Sequence, residues 1–255
     1  MDHKQVQVTL IQLDNYGPWT GTIGADREHV LQSLQADLYS AIERRFAERE
    51  GLVFFNRFDE MLAVSNGITK TQHEEIQRSL RNEFPVTISM GIGVGENPFE
   101  AQRNASRLLQ SIGSAQSERR SGVIASDRTL DIDESYVQIA HFDIDDITET
   151  HTDRSSAYET SLHVMKLYAE LMQLFTKQNA LLFFVGGDNF IGVANGVKLE
   201  EIESLLASYR SKQVRLKCGI GIAHSARKAA ELATSNLDRI RNSNGEKPAL
   251  TTTML

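Results

Sequence analysis

The sequence predicts an α+β chain made of two tandem ferredoxin-like copies of one β-α-β-β-α-β unit, with antiparallel sheets and a ligand cleft between the copies. Three pairs of landmarks predict the duplication. Val6-Gln7-Val8-Thr9-Leu10-Ile11-Gln12-Leu13-Asp14 is answered by Val137-Gln138-Ile139-Ala140-His141-Phe142-Asp143-Ile144-Asp145. The segment from Phe58 to Gly67 is answered by that from Gly187 to Gly196, with Asp, Val, Asn and Gly coinciding, and Ser89-Met90-Gly91-Ile92-Gly93-Val94 by Lys217-Cys218-Gly219-Ile220-Gly221-Ile222. The order is the same and the separation nearly constant.

Each copy opens on an alternating strand, Val6 to Leu13 or Tyr136 to Phe142. A long amphipathic helix follows, with Val30, Leu31, Leu34, Leu38 and Ile42 at helical spacing in the first copy and Ser155 to Phe175 in the second. Two short apolar runs around a tight polar turn then read as a hairpin, Leu52 to Phe55 with Met61 to Val64, and Leu181 to Val185 with Phe190 to Val193. A second helix (Thr71 to Asn82; Leu199 to Tyr209), a fourth strand ending in Gly-Ile-Gly and a closing helix (Phe99 to Leu109; Ala226 to Ile240) complete each copy. The predicted order puts both internal helices on one face of the sheet and leaves the other face to meet the sister copy. Residues 113–135, polar, serine-rich and weakly periodic, read as the connection between an N-terminal repeat of residues 1–112 and a C-terminal repeat of residues 136–255.

Composition narrows the function classes. Each half carries more acids than bases, for a net charge of -7, so a sheath for nucleic acid is not expected. An anionic small ligand would need metal ions. The longest apolar runs fall far short of the ~20 residues a membrane helix needs, and the polar opening Met1-Asp2-His3-Lys4-Gln5 does not read as a secretory leader. One cysteine, Cys218, excludes an internal disulfide and any multi-cysteine metal cluster. A cytoplasmic chain is the expectation.

The chemistry concentrates in the second copy. Phe142-Asp143-Ile144-Asp145-Asp146-Ile147-Thr148 ends its first strand, and Val185-Gly186-Gly187-Asp188-Asn189-Phe190 forms its hairpin turn. The predicted sheet makes these neighbours, so Asp143 and Asp188 approach at one edge. Two close carboxylates repel until a divalent cation lies between them, and hard oxygen donors suit Mg²⁺. Either motif alone also fits ordinary turn and cap chemistry.

These residues resemble the palm-type core of class III nucleotidyl cyclases and GGDEF-type diguanylate cyclases, although the hairpin reads Gly-Gly-Asp-Asn-Phe. The resemblance implies that Asp143, the Ile144 carbonyl and Asp188 hold two Mg²⁺ ions on a nucleoside triphosphate, and that Asp146, Ile147 and Thr148 present backbone amides to phosphate. Over nearly the whole chain, the run Leu10 to Thr20, Arg57-Phe58-Asp59, Gly113-Ser114-Ala115-Gln116 and Leu181 to Phe190 are similar to the GTP cyclohydrolase III family. That similarity implies hydrolysis of GTP to 2-amino-5-formylamino-6-(5-phosphoribosylamino)pyrimidin-4(3H)-one with release of two orthophosphates, Mg²⁺ as cofactor and a monovalent cation such as K⁺ as activator. It also points to flavin-type cofactor biosynthesis. A cyclase releasing pyrophosphate and a non-catalytic GTP-binding module are the alternatives.

The first copy has Gln12 where the second has Asp143, and Arg57-Phe58 where it has Gly186-Gly187, so its metal site is incomplete and Asp59 reads as a salt-bridged turn. By analogy with heterodimeric cyclases it would help to hold guanine. Asp14, Asn15 and Tyr16 are the candidates, a carboxylate for the base N–H groups and a ring to stack, though Asp-Asn-Tyr-Gly-Pro is equally a turn. Asn189 is a further substrate contact. His141, on the same strand face as Asp143, is either the proton carrier for ring opening or a packed histidine. Arg227 and Lys228 either meet phosphate at a helix start or form a solvated face. Exposed sheet edges favour a homo-oligomer.

Overall fold

The structure is a computed structural model that describes residues 5–134, 136–144, 153–211 and 215–242. It divides into two compact units, Met1–Tyr136 with Ser225–Arg227, and Val137–His224 with Lys228–Leu255.

In the first unit the order is β1 (Val6–Leu13), α1 (Tyr16–Thr20), α2 (Arg27–Ala47), β2 (Leu52–Arg57), β3 (Glu60–Val64), α3 (Lys70–Glu83), β4 (Ile88–Gly95), α4 (Pro98–Ile112) and β5 (Ile124–Ser126). The sheet order is β2-β3-β1-β4-β5. Ile11 and Leu13 of β1 and Ile88 and Met90 of β4 point to one face. They pack there against Leu38, Ile42 and Phe46 of α2 and Ile76 and Leu80 of α3. The start of α3 is fixed by a reciprocal cap between Thr69 and Gln72, and that of α4 by Asn97, whose side chain accepts from Glu100 N at 2.9 Å.

The second unit runs β6 (Val137–Ile144), α5 (Ala157–Lys177), β7 (Leu181–Gly186), β8 (Asn189–Val193), α6 (Leu199–Ser211), β9 (Leu216–Ala223) and α7 (Ala226–Asn242). Its sheet order, β7-β8-β6-β9, is that of the first four strands of the other unit. Ala140, Phe142 and Ile144 of β6 meet α5 and α6 across a core in which the Phe142 and Phe175 rings stand edge to face, 5.5 Å apart. The odd-numbered side chains of β6 therefore look the other way.

The duplication extends to single hydrogen bonds. Asn66 Oδ1 accepts from Gln7 N at 3.1 Å in the first unit, and Asn195 Oδ1 accepts from Gln138 N at 3.1 Å in the second. Gln7 and Gln138 then each donate through Nε2 at 3.0 Å to a carbonyl, that of Ile68 or Val197. The registers agree too, with Gln12 of β1 opposite Glu60 and Ser89, and Asp143 of β6 opposite Asn189 and Lys217.

Two expectations are corrected. The second face of each sheet is not left open, because the closing helix lies on it. A Cβ on Gly91 or Gly93 would collide with the Ala105 and Ala101 carbonyls of α4, and one on Gly219 or Gly221 with those of Ala233 and Ala229 of α7. The glycine runs exist to let those helices approach. Residues 113–135, expected as a plain connection, belong to the first unit and add β5, paired parallel to β4 through Met90 and Ile124. Among the described residues no helix is long and apolar enough to cross a membrane.

Candidate functional site

The side chains predicted to carry chemistry in the second unit gather on the α7 face of its sheet. His141 and Asp143 are two positions apart on β6, Asn189 sits opposite Asp143 on β8, and Asp188 occupies the β7–β8 turn. That turn needs glycine, since Gly186 and Gly187 have φ of 114° and 60°. The first unit places Arg57 and Phe58 there, neither with positive φ, although its hairpin closes in the same register, Arg57 opposite Glu60 as Gly186 is opposite Asn189.

Asp143 is buried, and Arg241 at the end of α7 grips its carboxylate with two bonds. One runs from Nε to Oδ2 at 3.2 Å and the other, from Nη2 to Oδ1, is shorter. Arg241 leans more loosely on Asn189 Oδ1 at 3.4 Å and on Asp238 Oδ1 at 3.5 Å. Asn189 donates through Nδ2 to Asp188 Oδ1 at 2.8 Å. Its own Oδ1 lies 3.1 Å from His141 Nε2, and Thr234 Oγ1 of α7 lies 3.0 Å from His141 Nδ1. With the Asn189 amide donating toward Asp188, His141 must donate through Nε2, so its Nδ1 accepts from Thr234. Burial holds His141 below the ordinary imidazole value; the Arg241 charge acts in the same direction, and the Asn189 bond and the Asp143 charge oppose it. Both ring nitrogens are engaged. That geometry makes it a positioning residue for Asn189, not a free proton carrier.

Burial first, and the Asp143 charge second, raise the Asp188 carboxyl above its usual range. The Asp143 carboxylate is thus close enough to oppose the ionisation of Asp188. Among the described residues no cluster of three or more His, Cys, Asp or Glu could hold a metal by itself. The pair nevertheless fits Mg²⁺ arriving with a triphosphate, since such an ion takes one or two protein carboxylates and fills its shell from phosphate and water. Asp143 and Asp188, with the Ile144 carbonyl, are the residues that would hold it. Asp146, Ile147 and Thr148 lie outside the described residues.

The first unit has the same stage with different actors. Asp14 is buried, and its carboxylate accepts from Thr87 Oγ1 at 2.9 Å, Ser89 Oγ at 2.6 Å, Gly122 N at 2.8 Å and Arg120 Nε at 3.3 Å. Arg120, also buried, donates to Gln12 Oε1 at 2.9 Å. A carboxylate engaged by four donors has no lone pair left for a base, so Asp14 holds the fold together; this corrects its expected role. Asn15, with φ of 50°, keeps a buried Oδ1 that has no hydrogen-bond partner, and the neighbouring Tyr16 hydroxyl is engaged by Gln35. Asp59 pairs with Arg57 at 3.4 Å, as the turn reading expects. Lys228 pairs with Glu231 at 3.2 Å on an exposed helix face. Sequence reasoning missed Arg241, Thr234 and Arg120. The signal for the first two was present, as Thr234, Asp238 and Arg241 recur at helical spacing on one face of α7.

Similarity to known proteins extends over most of the chain. The family described as GTP cyclohydrolase III matches residues 8–254. GTP cyclohydrolase III of Methanothermobacter thermautotrophicus is 52% identical over 92% of this chain and 94% of its own length. The protein of the same name from Methanocaldococcus jannaschii is 47% identical over 92% and 88%. The active GGEEF domain of a diguanylate cyclase from Vibrio cholerae aligns with 49% of this chain and 85% of its own at 10% identity and a TM-score of 0.36, too slight a likeness to bear on the activity. Matched from one end to the other at such identity, the chain belongs to the GTP cyclohydrolase III family.

Proposed function

We propose that this chain is a Mg²⁺-dependent GTP cyclohydrolase. It would convert GTP and three waters into 2-amino-5-formylamino-6-(5-phosphoribosylamino)pyrimidin-4(3H)-one and two orthophosphates, the formyl group being retained. The observation that carries this reading is the family match over residues 8–254. The Asp143–Asp188 pair supports it from the side of chemistry.

Asp143 and Asp188 would hold Mg²⁺ with the Ile144 carbonyl, and Asn189 would keep Asp188 aimed through its amide. When bound, Mg²⁺ supplies charge neutralisation on the triphosphate and activation of water. Arg241, already bonded to Asp143, is a cation that would meet the phosphates. His141 holds Asn189 in place. Asn15, with its unpaired buried oxygen, and Tyr16 remain the candidates for guanine, and Asp146, Ile147 and Thr148 those for phosphate. K⁺ as activator, a cytoplasmic setting, a role in flavin-type cofactor biosynthesis and a homo-oligomeric state belong to the same proposal.

Incubation with GTP, Mg²⁺ and K⁺, following ultraviolet absorbance and phosphate together, tests it. Loss of the guanine chromophore with two orthophosphates per GTP is expected. Pyrophosphate with a cyclic phosphodiester would make it a cyclase, and GTP binding without turnover would make it a binding module.

A further inference from the structure

Each unit sets an arginine against the exit of its first strand, but in a different way. In the first, the guanidinium of Arg120 is sealed among Asp14, Gln12 and the carbonyl of Gly113, with 3% of its side chain exposed. In the second, the guanidinium of Arg241 covers both carboxylate oxygens of Asp143, yet 36% of its side chain is exposed. It stands on the next-to-last residue of α7, and its other contacts, to Asn189 and Asp238, are long. One cation is fixed in the fold; the other can leave.

We propose that Arg241 makes metal loading conditional on nucleotide: it holds Asp143 as a stand-in cation until a triphosphate draws the guanidinium onto its own oxygens and frees Asp143 to become a ligand. The proposal rests on the reading that Asp143 and Asp188 hold Mg²⁺. Both Asp143 oxygens are engaged by one bidentate partner, so a metal arriving alone must break two charge-assisted bonds. A metal arriving with a triphosphate brings the replacement anion for the arginine. Without nucleotide the carboxylate pair is then partly neutralised from inside, which spares the protein two adjacent uncompensated charges.

The test is Mn²⁺ binding to the full chain, by calorimetry and by the paramagnetic signal of the free ion, with and without a methylene-bridged GTP analogue that cannot turn over. Wild-type protein should bind Mn²⁺ weakly alone and tightly with the analogue. Arg241→Gln should bind Mn²⁺ alone about tenfold more tightly than wild type, the gain expected when a charge-assisted pair no longer competes. The boost from the analogue should shrink correspondingly. Arg241→Lys, which keeps the charge but not the fork, should fall between them and serves if the Gln variant melts below the assay temperature. Unchanged or weaker Mn²⁺ binding by both variants alone, while Asp143→Asn loses binding with the analogue, overturns the arginine proposal and leaves the metal site standing. Wild-type affinity in both Asp143→Asn and Asp188→Asn with the analogue present overturns the metal site itself, and the proposal with it.

Discussion

At Asp188 two demands meet. Its carboxyl is raised by burial and by the Asp143 charge, so as a bare anion it works against the fold. A carboxyl with a higher pKa folded than unfolded binds more protons in the native state, and stability falls as pH rises through that window. Asp188→Asn should therefore leave the melting temperature unchanged or slightly raised at neutral pH while kcat falls by at least about a hundredfold, as the proposed metal-holding role requires. Calorimetry and phosphate release read the two separately, and a loss of both together would make Asp188 structural. His141 has the opposite character. Its nitrogens are engaged by Asn189 and Thr234, so His141→Gln should slow ring opening and phosphate release in parallel, by less than about tenfold. A selective loss of ring opening by about a hundredfold or more would restore it as the proton carrier.

At the scale of elements, α7 is set by the glycines beneath it. Gly221→Ala should cost about 1–3 kcal/mol by pushing α7 off β9, read as a lowered melting temperature, and should weaken the grip of Arg241 on Asp143. In the first unit α3 is tied to β1 through His73, which touches Thr9 Oγ1 and the Thr69 carbonyl, each at 2.8 Å. Burial pushes its pKa down to about 4. The unfolded chain, titrating near 6.5, binds the proton first, so stability is full above about pH 6.5 and falls as pH drops toward 4, by about 3 kcal/mol in all. Urea unfolding at pH 7 and pH 5, followed by the fluorescence of Trp19, the one tryptophan of the chain and a neighbour of that core, should show the loss. His73→Leu should flatten the pH dependence. The strands and the long helices were legible because their periods are local. The face taken by α7 and the strand β5 were not. A three-residue strand in a polar segment leaves no periodic trace, and only the glycine spacing hinted that a helix comes down on the second face.

For the whole molecule, stripping divalent cations with a chelator should abolish turnover, and Mg²⁺ should restore it, with phosphate release as the readout. Turnover that survives chelation would remove metal from the chemistry. What the sequence could show of the site follows from chain distance. Asp143 and Asp188 were legible because one strand end and one turn suffice to make them neighbours. Arg241 lies 98 residues from Asp143 and Arg120 lies 106 from Asp14, and no local pattern pairs them. The paired amide clamps, Asn66 on Gln7 and Asn195 on Gln138, have a broader bearing. They pin the entry of the first strand identically in both units, while the exit of that strand carries Gln12 and Asp14 in one and Asp143 in the other. After a gene is copied, one end of each daughter can be kept as a foundation while the opposite end drifts toward new work. Saturation mutagenesis should accordingly find both clamped entries intolerant through loss of stability, while at the exits it should find loss of stability at Asp14 and loss of turnover at Asp143.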